Sequence, residues 1–425
     1  MRSRKFSVGF MALAIVAYTL GVAIQAAAQT ETVYFLFGRT PDNGYDSYSG
    51  VVRDSAGNFY GTTVGGGNHL SGTVYELSPN ASGEYEETVL HNFQRYNSTD
   101  GWQPFSGVIL DASGNVYGTA ESGGTNGFGM VFELTPGSDG QWTETVLHNF
   151  TLKDGARPWS ALIADASGNL YGTAAGGGKY ASGVVFELMR VNGGWVETTL
   201  HDFNPHRGDG YTPIAGLTLD AEGNLYGTTS YCQCGYSNDG TVFELKHGAG
   251  GGWTEEILHS FINDGVQGFE LNAGVTMDSE GNLYGATTLG GSGICNDIYG
   301  GGCGTVFKLA PLTDGTWAET TIHDFQYYTS DGILPYGTLV LDAAGNLYGT
   351  TVSGGAVGSG TVFELTRSNG AWTETILHNF FGFNPLPNKE GAVPYAGVVF
   401  DNSGNIYGTT NAGGYGSGVF FEITP

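Results

Sequence analysis

Charged residues are scarce in this chain, and positive ones most of all. Only 13% of its 425 residues are Asp, Glu, Lys or Arg, about half the ~25% of an average globular protein. Lys and Arg together number 15 against 41 acids, a formal charge of −26. So anionic a surface repels a phosphate backbone, which excludes nucleic acid as a partner class. It argues equally against docking on an anionic membrane. Beyond residue 28 no segment is long and apolar enough to span a bilayer. Signatures of common chemistries are missing as well. There is no G-x-S-x-G, no H-E-x-x-H, no Walker A loop and no dinucleotide-type glycine turn. Asp-rich loops are compatible with calcium, but no spaced Asp-x-Asp-x-Asp-Gly loop occurs. On these grounds no metal ligand, cofactor or catalytic residue is assigned.

The chain has 73 Gly, and aromatics make up 13%. That aromatic content, with many β-branched residues, argues for a packed core. Residues 1–28 carry the marks of a secretory signal peptide. Arg2, Arg4 and Lys5 form a basic start, Val8–Ile24 is apolar, and Ala26-Ala27-Ala28 supplies small residues before Gln29. The mature chain is then a single domain over 29–425, exported to the periplasm or the medium, with no membrane insertion after cleavage.

The rest of the chain is organised by repetition. Asp-x-x-Gly-Asn-x-Tyr-Gly starts at Asp54, Asp111, Asp165, Asp220, Asp278, Asp342 and Asp401, at intervals of 57, 54, 55, 58, 64 and 59 residues. A phrase close to Gly-Thr-Val-Phe-Glu-Leu follows each copy, and one close to Trp-Thr-Glu-Thr-x-Leu-His-x-Phe follows the first six. Each repeat therefore holds four β-type segments, here called A to D. In the second repeat they are Gly107–Leu110, Asn115–Thr119, Gly129–Leu134 and Trp142–Phe150. Four antiparallel strands, seven times over, predict an all-β fold, a seven-bladed β-propeller. The last repeat stops after its C segment, whereas Thr30–Phe37 matches the D segment Thr143–Phe150. The N-terminal strand is expected to complete the last blade and close the ring.

These phrases resemble the GloVer tandem repeat of exported bacterial proteins, over residues 30–425. The resemblance implies an extracytoplasmic protein; it implies no activity and supplies no catalytic residues. Family members often end in a sorting or anchoring segment. This sequence ends on a C segment, and release as a monomer is expected.

Residues present in every repeat read as structural, and residues that break the pattern as candidate sites. His91, His148, His201, His259, His323 and His378 share one position on outermost strand D, too far apart around the ring to hold a common ion. A His–Glu or His–Asp pair within each blade is the expectation, with strand-C acids such as Glu133 as candidates. Cys232, Cys234, Cys295 and Cys303 fall in two B–C loops and fit disulfides in an oxidising compartment; a four-cysteine zinc site is the alternative.

The A–B turn is constant in length, whereas the B–C and D–A loops vary and share the opposite end of the blades. Variable loops on a rigid frame are where binding evolves. Six residues before each repeat's Asp stand Tyr48, Phe105, Trp159, Ile214, Asn272, Tyr336 and Tyr395. The five aromatics among them, with Trp102 in a D–A loop, form the candidate ligand site near the channel mouth; inter-blade packing is the competing role. The expected function is binding of an extracellular polysaccharide or protein. The alternatives are a polysaccharide hydrolase or lyase with paired carboxylates at the mouth, and a structural envelope or matrix component.

Overall fold

The computed structural model describes residues 30–40, 42–96, 99–232, 239–248, 250–293, 295, 301–327, 330–382 and 390–424. The leader and Cys234 lie outside them. The described residues form seven antiparallel four-stranded blades of a β-propeller. In blade 2, strands A to D are Ile109–Leu110, Val116–Ala120, Met130–Pro136 and Trp142–Asn149. Blade 7 takes A to C from Val399–Phe400, Ile406–Thr409 and Val419–Thr424, and its D strand is Thr30–Leu36 from the other end of the chain.

The repeated phrases have direct physical reasons. The motif Asp is a bracket for the A–B hairpin. One oxygen of Asp111 accepts the N–H groups of Ser113 and Asn115 at 2.8 and 2.9 Å, and the other accepts the Asn115 side chain at 2.8 Å. Gly114 closes the turn at φ 82°, a conformation that disfavours side chains. The motif Tyr hydroxyl, on Tyr117, lies 3.1 Å from Asp111 and 2.8 Å from Glu133 on strand C. Its neighbour must be Gly, because Phe132 crosses there; a Cβ on Gly118 would sit 2.6 Å from that ring.

The strand-C acids Glu133, Glu187, Glu244 and Glu364 are thus engaged by tyrosines. The expected His–Glu pair within a blade is not formed. Every D strand carries a β-bulge that accounts for part of this. In blade 2 the register shifts at Leu147, so that His148 faces Val131 and Val146 faces Phe132. The histidine is carried to the seam with the next blade instead.

Blades are joined by two repeated contacts. The Phe that ends each D strand packs against the aromatic on strand C of the following blade, as in Phe93–Phe132 and Phe150–Phe186, with centroids 5.4 and 5.2 Å apart. A strand-B Thr also reaches carbonyls at the start of the next blade's strand A: Thr62 Oγ1 lies 2.7 Å from Ser106 O and Thr350 Oγ1 2.8 Å from Ala396 O. This is why ladder pairing in strand A begins only at Ile109 rather than Gly107. The first half of the segment is bonded sideways. The last seam repeats both contacts, with Phe37 on Tyr75 at 5.3 Å and Thr409 on Ser49.

Candidate functional site

Strand A lines the central channel, and its alternating residues form layers around it. The first layer is the predicted set. Tyr48, Phe105, Trp159, Ile214, Asn272, Tyr336 and Tyr395 all line one cavity of about 640 Å³. The layer two residues further on is small: Gly50, Gly107, Ala161 and Gly216 among others. Missing side chains there open the space beneath the rings.

The five aromatics are a connected arc. Trp159 lies 5.8 Å from Phe105, Phe105 5.3 Å from Tyr48, Tyr48 4.9 Å from Tyr395, and Tyr395 5.2 Å from Tyr336. Packing between blades is therefore part of their role. Yet each is only half-buried and faces the cavity. The indole N–H of Trp159 is buried without a hydrogen-bond partner, an arrangement that calls for an explanation. Burial, then Glu270 and Tyr395, pushes the Tyr336 phenol up to about 12. Burial, then Asp46, raises Tyr48 too. Both rings stay neutral donors at any physiological pH. The cavity wall carries no Asp or Glu among the described residues, so it places no carboxylate pair there.

Trp102 is not in the cavity wall. It lies in a short ribbon in which Gly101–Trp102 of the D–A loop pairs with Ser122–Gly123 of the B–C loop, and Arg95 stacks on its ring at 4.4 Å. Comparable pairings join these two loops in the other blades, for example Gly210 with Cys232 and Gly391 with Gly413. The variable loops are thereby tied together at one end. Cys295 and Cys303 form a disulfide, which removes the four-cysteine zinc alternative. The backbone of Cys232 pairs with Gly210, whereas any Cys232–Cys234 pairing lies outside the described residues.

A second ring around the mouth is invisible in the repeat pattern. Eight residues before each motif Asp stand Asp46, Gln103, Arg157, Thr212, Glu270, Leu334 and Val393, all with φ between 57 and 62°. A left-handed backbone at a residue other than glycine is costly and persists where its surroundings enforce it. Here the N–H of Gln103 donates to Ser71 O at 3.0 Å, and its carbonyl accepts from Glu121 N at 3.2 Å. The conformation is the same in every blade, but the side chain differs in all seven. Arg157 lies 4.4 Å from the Trp159 ring centroid and 3.0 Å from Glu121, and Asn272 donates to Glu270 at 3.2 Å. No periodicity of residue type marks these positions, so only the backbone reveals them. A constant frame with varied side chains beside aromatic platforms can grip a ligand by stacking and select it by polar contacts.

No curated protein sequence matches this chain. Among solved structures it is similar to the extracellular domain of a protein assigned as a hybrid two-component system of B. thetaiotaomicron, at 11% identity and TM-score 0.55. That likeness covers 92% of this chain and 39% of the other, so this chain spans well under half of that protein's length. It is also similar to a protein assigned as a 6-phosphogluconolactonase of Bacteroides uniformis, at 14% identity and TM-score 0.47, covering 83% of this chain and 89% of the other. The first likeness supports the propeller fold alone. The Gloeobacter/Verrucomicrobia repeat matches residues 11–234 and 232–425, and the chain belongs to that repeat family.

Proposed function

We propose that this protein is an exported binding module that takes a neutral extracellular polymer, a glycan, at the aromatic mouth of its channel. The arc of five half-buried rings above a 640 Å³ cavity is the observation that carries this reading. Sugar rings stack on such faces, and the Tyr48 and Tyr336 phenols in the cavity wall are neutral donors for hydroxyls. A neutral ligand suits a chain of net charge −26. Export rests on the leader at residues 1–28 and is supported by the Cys295–Cys303 disulfide.

A glycan-array screen of the mature protein tests the reading, alongside a Trp159→Ala/Tyr395→Ala variant and a Trp102→Ala control. Binding that the double variant loses and the control keeps supports a glycan site in the channel mouth. No glycan bound, or equal binding by all three proteins, overturns it and leaves a protein partner or a structural role.

A further inference from the structure

Each seam between blades is built from the same three elements. Strand D of one blade supplies a residue at the histidine position, the D–A loop supplies the residue before its Gly, and strand D of the next blade supplies a Glu. At four seams these are His91/Asp100/Glu144, His148/Asp154/Glu197, His201/Asp209/Glu255 and His323/Asp331/Glu374. In each trio the potential donor atoms lie within 4.8 Å of one another.

The separations are informative. His91 Nε2 is 3.4 Å from Asp100 and 3.6 Å from Glu144; His201 Nε2 is 3.6 Å from Asp209 and 3.4 Å from Glu255. His323 Nε2 is 3.3 Å from Asp331 and 3.6 Å from Glu374. These lengths are poor for N–H···O bonds. They equal the edge of a coordination tetrahedron, about 3.3–3.6 Å when each ligand sits about 2.0–2.2 Å from a zinc ion. Oε1 of Glu144 and Glu255 is buried with no hydrogen-bond partner, and the Nε2 atoms of His148, His201 and His323 are buried with only long contacts, those to their loop aspartates being 3.5, 3.6 and 3.3 Å. At a further seam, His378 Nε2 and Glu31 Oε2 face each other at 3.5 Å, with side chains only 10% and 3% exposed. Neither atom has a hydrogen-bond partner. Glu390 of the intervening loop acts on the same pair.

The donors are also held in place. The His91, His201 and His323 rings pack edge-on against Phe93, Phe203 and Phe325. Asp100 and Asp209 each accept a backbone N–H at 2.9 Å, support of the kind that orients metal ligands. The two remaining seams are natural contrasts. His259 meets neutral Gln267 at 3.2 Å, and where Phe35 replaces the histidine, Asn43 bonds Glu87 directly. At these seams His259 and Asn43 each find a side-chain partner, although Glu87 Oε1 stays buried without one.

We propose that the intact seams are binding sites for divalent cations of the zinc class, which staple adjacent blades through one imidazole and two carboxylates. A set containing nitrogen suits zinc better than calcium, which takes oxygen ligands. The test is metal content after equilibration with zinc and removal of free ion, measured by mass spectrometry on wild type, His148→Ala/His201→Ala and His259→Ala. The double variant is expected to lose about two equivalents relative to wild type, and His259→Ala none. Melting curves in zinc, calcium and a chelator provide a readout that needs no variant: zinc alone raises the wild-type melting temperature. Equal zinc content in wild type and the double variant, or superimposable melting in zinc and chelator, overturns the proposal.

Discussion

Thr409 Oγ1 donates to the carbonyl of Ser49 at 2.7 Å, across 360 residues of sequence. The bond joins the last repeat to the first and repeats the Thr62–Ser106 contact made between blades 1 and 2. Both hydroxyls are buried. Removing one leaves a buried carbonyl short of its partner, at a cost of about 1–3 kcal/mol. Thr409→Val and Thr62→Val should lower stability by similar amounts in denaturant titrations. A neutral Thr409→Val beside a costly Thr62→Val would mean that the ring is open at this seam.

The seam between blades 7 and 1 also makes a prediction about pH. Burial pushes Glu87 up to about 7, against smaller opposing bonds from Asn43 and Gly44. The folded state thus holds a proton that the unfolded state releases near pH ~4.5. The stability linked to Glu87 is fully present below that pH and is lost as pH rises through about 7, a swing on the order of 3 kcal/mol. Glu87→Gln, which mimics the protonated acid, should be near neutral at pH 5 and stabilising at pH 8. Melting temperatures of both proteins across that range check it; parallel profiles contradict it.

The Cys295–Cys303 disulfide closes a loop with a sequence separation of 8. For so short a loop the chain-entropy contribution is about 2.5 kcal/mol. The Cys303 carbonyl also accepts the N–H of Leu334, the left-handed residue of blade 6, at 2.9 Å. Cys295→Ala/Cys303→Ala should therefore lower stability by about that amount and raise hydrogen exchange at Leu334. Unchanged exchange at Leu334 would show that the disulfide does not support the mouth.

The number of blades, their strand order, the closing strand and the residues at the channel mouth were all legible in the sequence. A repeat converts one local pattern into seven aligned copies. Asp111 and Gly114 mark a hairpin through spacing alone, whereas the bridge that Tyr117 makes from Asp111 to Glu133 did not follow from it. Nor did the partners of the histidines. A bulge adds one residue at Leu147 without changing residue type, and it sends His148 to Asp154 on the loop leading to the next blade rather than to its own Glu133. The ring from Asp46 to Val393 was hidden for a related reason. Its left-handed backbone is enforced by bonds to neighbouring loops, so the positions need no glycine and show no shared side chain. Trp102 looked like a partner of Trp159 from its loop position, but pairing with Ser122 sets it outside the cavity wall.

Gly50 gives the most direct access to the central claim. It lies in the cavity wall beneath the aromatic arc. A Cβ built there meets only ordinary contacts, 3.5 Å to Gly397 O and 3.6 Å to Ala396. Gly50→Leu should project a side chain into the cavity beneath the rings and leave every mouth ring in place. The decisive measurement is calorimetric titration of wild type and Gly50→Leu with the tightest glycan from the array. The account predicts at least a tenfold loss of affinity, about 1.4 kcal/mol, with unchanged melting. Equal affinity in a variant that melts like wild type would contradict it and place the ligand elsewhere on the propeller.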